Sequence, residues 1–562
     1  MRKNSYLIMS VAAVTALTSC KKLGDLSADN FTVTPTPLEA VAGQVSTTID
    51  GKFPEKYMKK KAVVTVTPVL KYEGGEAKGQ SATFQGEKVE GNDQTIAYKA
   101  GGTYTMKTIF DYVPAMQKSD LYLQFDAKVG KKTVSVPEVK VGYGVLATSA
   151  LLGKTLASTN PSLAPDAYQR IIKEKQEANI KFLIQQANLR SSELNSTSMK
   201  DFVKMLKQTN DEKETKALKN IEVSAYASPD GALDLNTRLA EKRQDNSEKY
   251  LQKQLKSNKM TAEVDTKYTA EDWDGFQELV SQSNIQDKEV ILRVLSMYKD
   301  PEEREKQIRN MSAVFKELAD QILPELRRAR LTINYEIIGR SDEQIVAQYK
   351  SDASQLSVEE MLYGANLMTN AADKEAWYQK TTQLYANDYR AYNNLGMLAY
   401  QKGDLTAAEN YFNKAKSLKA DASEANANLA LIAMNKGDIK SAETYMGKAS
   451  GANNFNEIMG NLNIAKGAYQ QAASNFNGVN TNSAALAQIL NKDYASAKTT
   501  LNNVKNADAY TAYLKAIVAA RTNDAAGVNS NLKEAVSKDA SLKAYAAKDL
   551  EFASYQSTIN SL

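Results

Sequence analysis

One stretch of the chain, residues 221–251, combines the residue types and the spacing of a ligand site. Residues 221–226 alternate apolar and polar side chains, as a half-buried β-strand does. Pro-Asp-Gly follows at 229–231 and predicts a tight turn, because proline presets φ and glycine has permissive dihedral angles. Apolar residues then recur at helical spacing as far as Leu251. The sequence therefore predicts strand, turn and helix, and the turn is its best candidate for a ligand site.

Two absences limit the chemistry. The 562 residues contain no histidine, and Cys20 is the only cysteine. The absence of histidine excludes Ser-His-Asp and Cys-His catalysis, histidine bases and His-ligated zinc. The single cysteine excludes thiolate clusters and disulfides within the chain. A carbohydrate-active enzyme that uses two carboxylates stays open as an alternative. The distance between two such carboxylates defines a glycosidase site, and one sequence does not show it. We predict a protein that is not an enzyme and needs no metal or cofactor.

The lone cysteine ends a leader sequence. Arg2 and Lys3 precede an apolar run at 6–17, which is shorter than the ~20 residues that span a bilayer. Leu-Thr-Ser-Cys at 17–20 resembles the bacterial lipobox, which implies removal of residues 1–19 and covalent acyl chains on Cys20. Each buried methylene of such a chain adds ~0.8 kcal/mol of membrane anchoring. The alternative is an ordinary signal peptide with a chance cysteine.

The segment after the cysteine bears on the membrane face. Residues 21–25 lack the acidic run that often marks surface export in lipoproteins of the Bacteroidota type. We therefore expect a lipid-anchored protein of the outer membrane that faces the periplasm, with surface exposure as the alternative. The net charge of +5 is small for this length and predicts no nucleic-acid partner.

Residues 20–147 follow a β pattern. Short runs rich in Val, Thr and Tyr occur at 63–70, 95–98, 121–125 and 133–136, and glycines lie between them. Regular short strands with turn signals predict an antiparallel β-sandwich. After it, two prolines open a stretch at 166–186 that we predict to be helical, with a short strand near its end at 182–184 as the alternative. A second helix at 199–206 leads into the strand at 221.

The turn region carries a resemblance. Ala-Tyr-Ala-Ser-Pro-Asp-Gly at 225–231, then Asn236 and Leu-Ala-Glu-Lys-Arg at 239–243, resembles the signature of OmpA-like periplasmic domains. The resemblance implies an α/β sandwich that binds the diaminopimelate of peptidoglycan. Arg243 matches the residue that clamps a ligand carboxylate, Asn236 the amide that orders the loop, Gly231 the turn glycine and Leu239 a core leucine.

Ser228 departs from this family pattern, because it stands where the family has its ligand-binding aspartate. Asp230 lies two residues further on and is the candidate replacement. The alternative is an OmpA-like scaffold in which Arg243 forms a surface ion pair. The domain, predicted at 148–345, also has a helical insertion at 271–322 and a final strand at 331–338, as OmpA-like proteins of Bacteroidota do.

The C-terminal domain, predicted at 346–562, repeats itself from about Ser357 to Ala540. Leu395, Gly403-Asp404, Ala408 and Ala415 recur at an offset of 34 (429 − 395 = 34), the period of tetratricopeptide repeats, and Met446 takes the place of Phe412. The pattern predicts an all-α solenoid with a C-terminal cap, which recruits a protein partner. Asparagines on the first helices of successive repeats could clamp an extended backbone, with simple solvated polarity as the alternative: Asn393, Asn394, Asn426 and Asn428.

The chain is thus expected to be a multidomain α+β protein with a β-sandwich, an OmpA-like α/β sandwich and a tetratricopeptide solenoid. It resembles outer-membrane lipoproteins of the Bacteroidota type that combine the last two. We predict a non-enzymatic periplasmic scaffold, attached to the membrane by lipid, to a protein by its repeats and to peptidoglycan by its OmpA-like module. The alternative is a surface-exposed adhesin or matrix lipoprotein.

Overall fold

A computed structural model describes residues 23–285 and 287–562, so the predicted signal peptide and Cys20 lie outside the described residues. The described chain forms two compact units. The first contains residues 23–165 and 368–562, and the second contains residues 166–367. No helix in the described ranges is long and apolar enough to cross a membrane.

The first unit begins with two β-sheets that share one hydrophobic core. Val45, Ile49 and Phe53 enter this core from one sheet, and Val64 and Leu121 enter it from the other. The strands of these sheets pair antiparallel except for the parallel pair at 84–86 and 94–96, and one isolated bridge, Glu39 with Leu146, is also parallel. The prediction of an antiparallel sandwich did not include these parallel pairings. The strands are β1 (Phe31–Thr34), β2 (Ala40–Val41), β3 (Gln44–Phe53), β4 (Ala62–Tyr72), β5 (Gly75–Lys78), β6 (Ala82–Gly86), β7 (Gln94–Ile96), β8 (Gly102–Asp111), β9 (Ser119–Val129), β10 (Lys132–Ser135) and β11 (Val139–Gly144).

A connecting segment, residues 148–165, follows the sandwich, and we call it the strap. It contains one helical turn, α1 (Leu152–Thr155), and is otherwise extended or in short 3-10 turns. Leu151, Leu152 and Leu156 belong to the hydrophobic core of the C-terminal helices. The predicted domain boundary at 148 therefore differs from the structure, since burial of these leucines joins the strap to the first unit.

The second unit is built on a four-stranded sheet of order β12-β15-β13-β14, in which only the β13–β14 pair is parallel. Helices α3 and α4 pack on this sheet, and Phe202 and Leu251 meet Val223 and Leu331 in its core. The elements are β12 (Ile171–Lys181), α2 (Ser191–Leu194), α3 (Thr197–Asp211), β13 (Lys216–Tyr226), α4 (Leu233–Ser257), β14 (Glu263–Thr269), α5 (Trp273–Gln282), α6 (Lys288–Met297), α7 (Pro301–Asn310), α8 (Ser312–Gln321), α9 (Leu323–Leu326), β15 (Arg328–Ile338), α10 (Asp342–Asp352) and α11 (Val358–Leu367).

The helix predicted at 166–186 is wrong, because this region forms strand β12. Its Lys-Glu-Lys-Gln-Glu run has strong helix propensity, but β12 pairs with β15 along all of its 11 residues. Ala178 and Ile180 alternate into the core, which is the period of a strand. Tertiary pairing thus overrides local preference here.

Helices α5 to α9 form the predicted insertion and enclose a small hydrophobic core of their own. Asp272 caps α5, since its carboxylate accepts the Gly275 N–H at 3.0 Å, and it also pairs with Arg328 at 2.9 Å. The described residues contain no group of three acidic, histidine or cysteine side chains that could hold a metal ion.

The remaining helices form paired repeats from Met368 onward, later than the predicted start at 346, because α10 and α11 belong to the second unit. Gly403 and Gly437 have φ of +80° and +75°, which only glycine adopts without strain, and Asp404 and Asp438 cap the helices after them. The helices are α12 (Ala371–Leu384), α13 (Tyr389–Gln401), α14 (Leu405–Leu418), α15 (Ser423–Asn435), α16 (Ile439–Met446), α17 (Phe455–Ala465), α18 (Tyr469–Asn475), α19 (Asn482–Leu490), α20 (Tyr494–Asn502), α21 (Ala509–Arg521), α22 (Ala525–Lys538), α23 (Ser541–Ala546) and α24 (Gln556–Asn560).

Candidate functional site

The strap lies along the first helices of the repeats, and these helices, α13, α15, α17 and α19, form what we call the groove. Ser162 and Ala164 of the strap are fully buried there. The strap runs against the order of the repeats, since Thr155 contacts Ser483 of α19, whereas Ala164 contacts α13. The groove predicted to bind a peptide therefore holds a segment of its own chain.

Two asparagines, one repeat apart, form the same pair of hydrogen bonds with the strap backbone. Asn394 accepts the Ala164 N–H at 2.9 Å and donates to the Ala164 carbonyl at 3.1 Å. Asn428 accepts the Ser162 N–H at 2.6 Å and donates to the Ser162 carbonyl at 2.8 Å. Each side-chain amide thus imitates a neighbouring β-strand, and a step of one repeat corresponds to two residues of extended chain.

The other two predicted asparagines differ from each other. Asn393 donates to the Ser162 carbonyl at 2.9 Å and accepts from Asn428 at 3.0 Å, so it joins the same network. Asn426 instead donates to the carbonyls of Ala420 and Ala422 within its own helix–helix connection, so its expected place in the clamp is wrong. All four side chains are fully buried, which also overturns the alternative of solvated polarity.

Further polar contacts on the strap were not predicted from the sequence. Asn461 of α17 donates to the Thr159 hydroxyl at 3.1 Å, Asn453 accepts the Ser162 hydroxyl at 2.8 Å, and Asn454 donates to the Asn160 carbonyl. Asn461 lies 33 residues after Asn428, so a search at the repeat period that allowed a shift of one residue could have found it.

Glu457 adds a carboxylate to the groove. Its side chain is only 8% exposed, and it accepts the backbone N–H of Asn160. Burial raises the pKa of Glu457 to about 7, and the hydrogen bond from Asn160 offsets only part of that effect. The carboxyl group therefore changes its charge near neutral pH.

The predicted turn site lies in the second unit, where the structure brings its five residues around one cavity of about 50 Å³. Leu239, Gln185 and Arg327 also line this cavity, beside the predicted set Ser228, Asp230, Gly231, Asn236 and Arg243. Leu239 is half-buried rather than a core residue, because the face of α4 that meets the sheet carries Ala240, Ser247 and Leu251 instead.

Arg243 is 1% exposed, so the alternative of a surface ion pair is wrong. Its guanidinium donates to three backbone carbonyls, those of Gln186 (3.0 Å), Tyr226 (2.8 Å) and Leu183 (3.4 Å). Burial lowers its pKa to about 10, and the neighbouring positive charge of Arg327 acts in the same direction. Through these contacts Arg243 joins the loop at 183–186 to the end of strand β13.

Arg327 forms an ion pair with Asp230, the candidate ligand-binding acid of the turn. Its Nη2 donates to Asp230 at 2.9 Å and its Nε to the Ser228 hydroxyl at 3.1 Å, while Ser228 donates to Asp230. Asn236 donates to the Gly231 carbonyl at 2.9 Å and so joins the turn to α4. The sequence signal that could have indicated Arg327 is the Arg-Arg pair that precedes strand β15.

A protein family matches part of the solenoid. Residues 389–421 and 423–456 match the tetratricopeptide repeat family, so the C-terminal region contains tetratricopeptide repeats. No curated protein matches the chain.

Solved structures give weak overall similarity. A tetratricopeptide repeat protein from Parabacteroides merdae has 14% identity and a TM-score of 0.27, over 42% of this chain and 93% of that one. PilF of Pseudomonas aeruginosa has 14% identity and a TM-score of 0.26, over 39% and 99%. Yeast Tom70 has 12% identity and a TM-score of 0.24, over 58% and 74%.

Proposed function

We propose that this chain is a non-enzymatic scaffold of the outer membrane, anchored by lipid on Cys20, which recruits a protein through its repeats and contacts peptidoglycan through the second unit. The single observation that carries the scaffold is the groove, in which asparagine amides bind the backbone of an extended segment. Hydrogen bonds to the main chain give affinity for an extended segment whatever its sequence, and pockets for its side chains give specificity.

Site-specific photocrosslinking in intact cells tests the recruitment. A crosslinking residue at Lys419 or Lys466 lies on an exposed part of the solenoid, and the same residue at Lys128 lies on an exposed strand of the sandwich as the control. We expect a discrete protein adduct from the two solenoid positions and none from Lys128. The absence of any adduct at the solenoid, with the chain present at normal abundance, would refute recruitment through the repeats.

The anchor has its own test. The variant Cys20→Ser removes the thiol that would carry the acyl chains, so we expect the chain to move from the membrane fraction to the soluble fraction. Protease treatment of whole cells then distinguishes the two membrane faces, since a periplasmic chain is protected until the cells are opened. Digestion of the chain on intact cells would favour the surface lipoprotein instead.

Two features of the second unit support contact with peptidoglycan. The resemblance of residues 225–243 to the OmpA-like signature is one, and the mixed sheet of order β12-β15-β13-β14 carrying that signature on the β13 turn is the other. Asp230 already neutralises Arg327 in this site, so a ligand carboxylate must compete with Asp230 for that guanidinium. Arg327 is the group that a wall carboxylate reaches, because Arg243 is bonded to carbonyls.

Co-sedimentation with purified peptidoglycan tests this contact in three chains. We expect Arg327→Ala to abolish binding and Asp230→Asn to strengthen it, because the second variant removes the internal competitor and keeps the shape of the side chain. If neither the unaltered chain nor Asp230→Asn sediments with peptidoglycan, the wall contact is refuted while recruitment through the solenoid is unaffected.

A further inference from the structure

The strap does not satisfy the middle of the groove. Three buried side-chain oxygens there have no hydrogen-bond partner among the described residues: Glu457 Oε1, Asn454 Oδ1 and Asn461 Oδ1. All three side chains belong to the first turns of α17 or its N-cap and lie beside strap residues 159–160. A buried acceptor without a donor destabilises the folded state, so a segment that brought donors to this place would bind the groove more tightly than the strap does.

The unsatisfied place also lacks a positive charge. Within the described part of the chain, the Asn160 N–H is the only group that stabilises the ionised form of Glu457, and no lysine or arginine acts on it. The Asn160 N–H already bonds this carboxylate, so a cationic side chain at the position of Asn160 would start next to Glu457. A charge-assisted hydrogen bond of this kind is roughly twice as strong as a neutral one.

The two halves of the strap are held differently. Residues 148–156 insert Leu151, Leu152 and Leu156 into the solenoid core. Residues 157–164 insert no leucine as deeply, and their buried positions are Thr159, Pro161, Ser162 and Ala164, of which Ser162 and Ala164 are fully buried. Hydrogen bonds from asparagine side chains to the strap backbone hold this half, and each contributes little net stability, because on release it is exchanged for a hydrogen bond to water. The second half can therefore leave the groove while the leucines hold the first half in place.

We propose that residues 157–164 leave the groove and are replaced there by an extended segment of a partner protein. That segment has small side chains at two alternate positions and a lysine or arginine opposite Glu457. The two small positions correspond to Ser162 and Ala164, and the basic one to Asn160. This proposal rests on the scaffold function above and names the segment that the solenoid takes. A tethered strap acts at an effective concentration of about millimolar, so a free peptide competes poorly until the strap is weakened.

Two labelled peptides and two strap states test the proposal by fluorescence anisotropy with the full chain. One peptide copies residues 156–165, and the other has lysine at the position of Asn160. The weakened chain carries Ser162→Glu and Ala164→Glu, because an unpaired carboxylate cannot be buried at either place. We expect both peptides to bind the weakened chain at least tenfold more tightly than the unaltered chain at pH 8.

The lysine peptide distinguishes a specific binding site from nonspecific binding. We expect it to bind the weakened chain at least tenfold more tightly than the copy of the strap, and this advantage should disappear when Glu457→Gln is added. Adding Asn394→Ala and Asn428→Ala instead should abolish binding of both peptides. A weakened chain that keeps its helical circular dichroism but binds neither peptide at millimolar concentration overturns the proposal, and so does equal binding of the two peptides.

Hydrogen exchange on the unaltered chain tests release without any substitution. We expect the Ser162 and Ala164 amides to exchange through a local opening at least tenfold more often than the core amides of α15. Exchange of both sets at one common rate would make the strap an integral part of the solenoid and refute its release. If a partner crosslinks at Lys419 or Lys466 but the peptides do not bind, the scaffold function is supported and the release proposal is refuted. The partner then binds the solenoid outside the groove.

Discussion

Removing the charge of Glu457 should stabilise the first unit, and the effect should grow with pH. Burial raises the pKa of Glu457 from 4.5 to about 7 in the folded chain. A raised carboxyl pKa means that the folded state binds the proton more tightly, so its contribution is complete below pH 4.5 and is lost as pH rises through 7. Glu457→Gln stays neutral throughout this range and keeps nearly the same shape.

The size of the effect follows from the shift. The rise of the Glu457 pKa from 4.5 to about 7 sets a ceiling of about 3 kcal/mol on the change in the free energy of unfolding. Most of this change occurs between pH 5 and pH 8. Over this range we expect the free energy of unfolding of Glu457→Gln to rise by about 2–3 kcal/mol relative to that of the unaltered chain. Other titrating groups, such as Asp549 with its pKa raised to about 6 by burial, occur in both chains and cancel in the comparison.

Tryptophan fluorescence can follow the first unit alone. The chain has two tryptophans, and Trp377 lies in the first unit whereas Trp273 lies in the second. In a Trp273→Phe background, urea unfolding monitored through Trp377 gives the stability at each pH. As a matched control, Glu409→Gln removes a solenoid carboxylate paired with Lys436 at the surface, and its effect should stay within about 1 kcal/mol. A difference between Glu457→Gln and its parent that is the same at pH 5 and pH 8 would refute the reasoning.

Three further substitutions, two of them with a comparison variant, should lower the free energy of unfolding measured in urea or thermal unfolding. Leu156→Ala should cost about 2–5 kcal/mol, because Leu156 is buried in the solenoid core, and Leu163→Ala, at a half-buried place, should cost clearly less. Gly396→Ala should cost about 1–3 kcal/mol, since its new Cβ would lie 2.5 Å from the Phe412 ring. Arg243→Ala should destabilise the second unit by about 3 kcal/mol or more, as three carbonyls lose their donor, and Arg243→Lys should not restore it. Equal costs at the two leucines, an unchanged melting temperature for the glycine variant, or full rescue by lysine would each contradict the corresponding contact.

Much of the solenoid could be predicted from the sequence because its contacts are local and repeat every 34 residues. The glycine turn, the aspartate cap and the small residues between paired helices each depend on neighbours within one repeat. The asparagines could be placed on the first helices for the same reason. Their ligand could not be predicted, because strap residues 159–164 lie more than 200 positions earlier in the chain, and nothing local indicates that partner.

The turn region shows the same division. The strand at 221–226 and the helix after it follow from local periodicity, so the sequence alone was enough to predict them. Arg243 could be identified as special but not given its role, since the carbonyls that it binds belong to a loop 57 to 60 positions away and to the end of β13. Strand β12 was mistaken for a helix because only its long-range partner β15 decides its conformation.

The sequence by itself determined the repeats, the alternating strands, the turn at 229–231 and the exclusion of histidine and disulfide chemistry, because each depends on composition or on neighbours a few residues apart. The tertiary structure alone decided that the groove holds the strap, that Arg243 is buried and bonded to carbonyls, and that Arg327 meets Asp230. These outcomes depend on burial and on pairing between distant segments. Whether a polar side chain binds a ligand or its own backbone is set by what the fold places beside it.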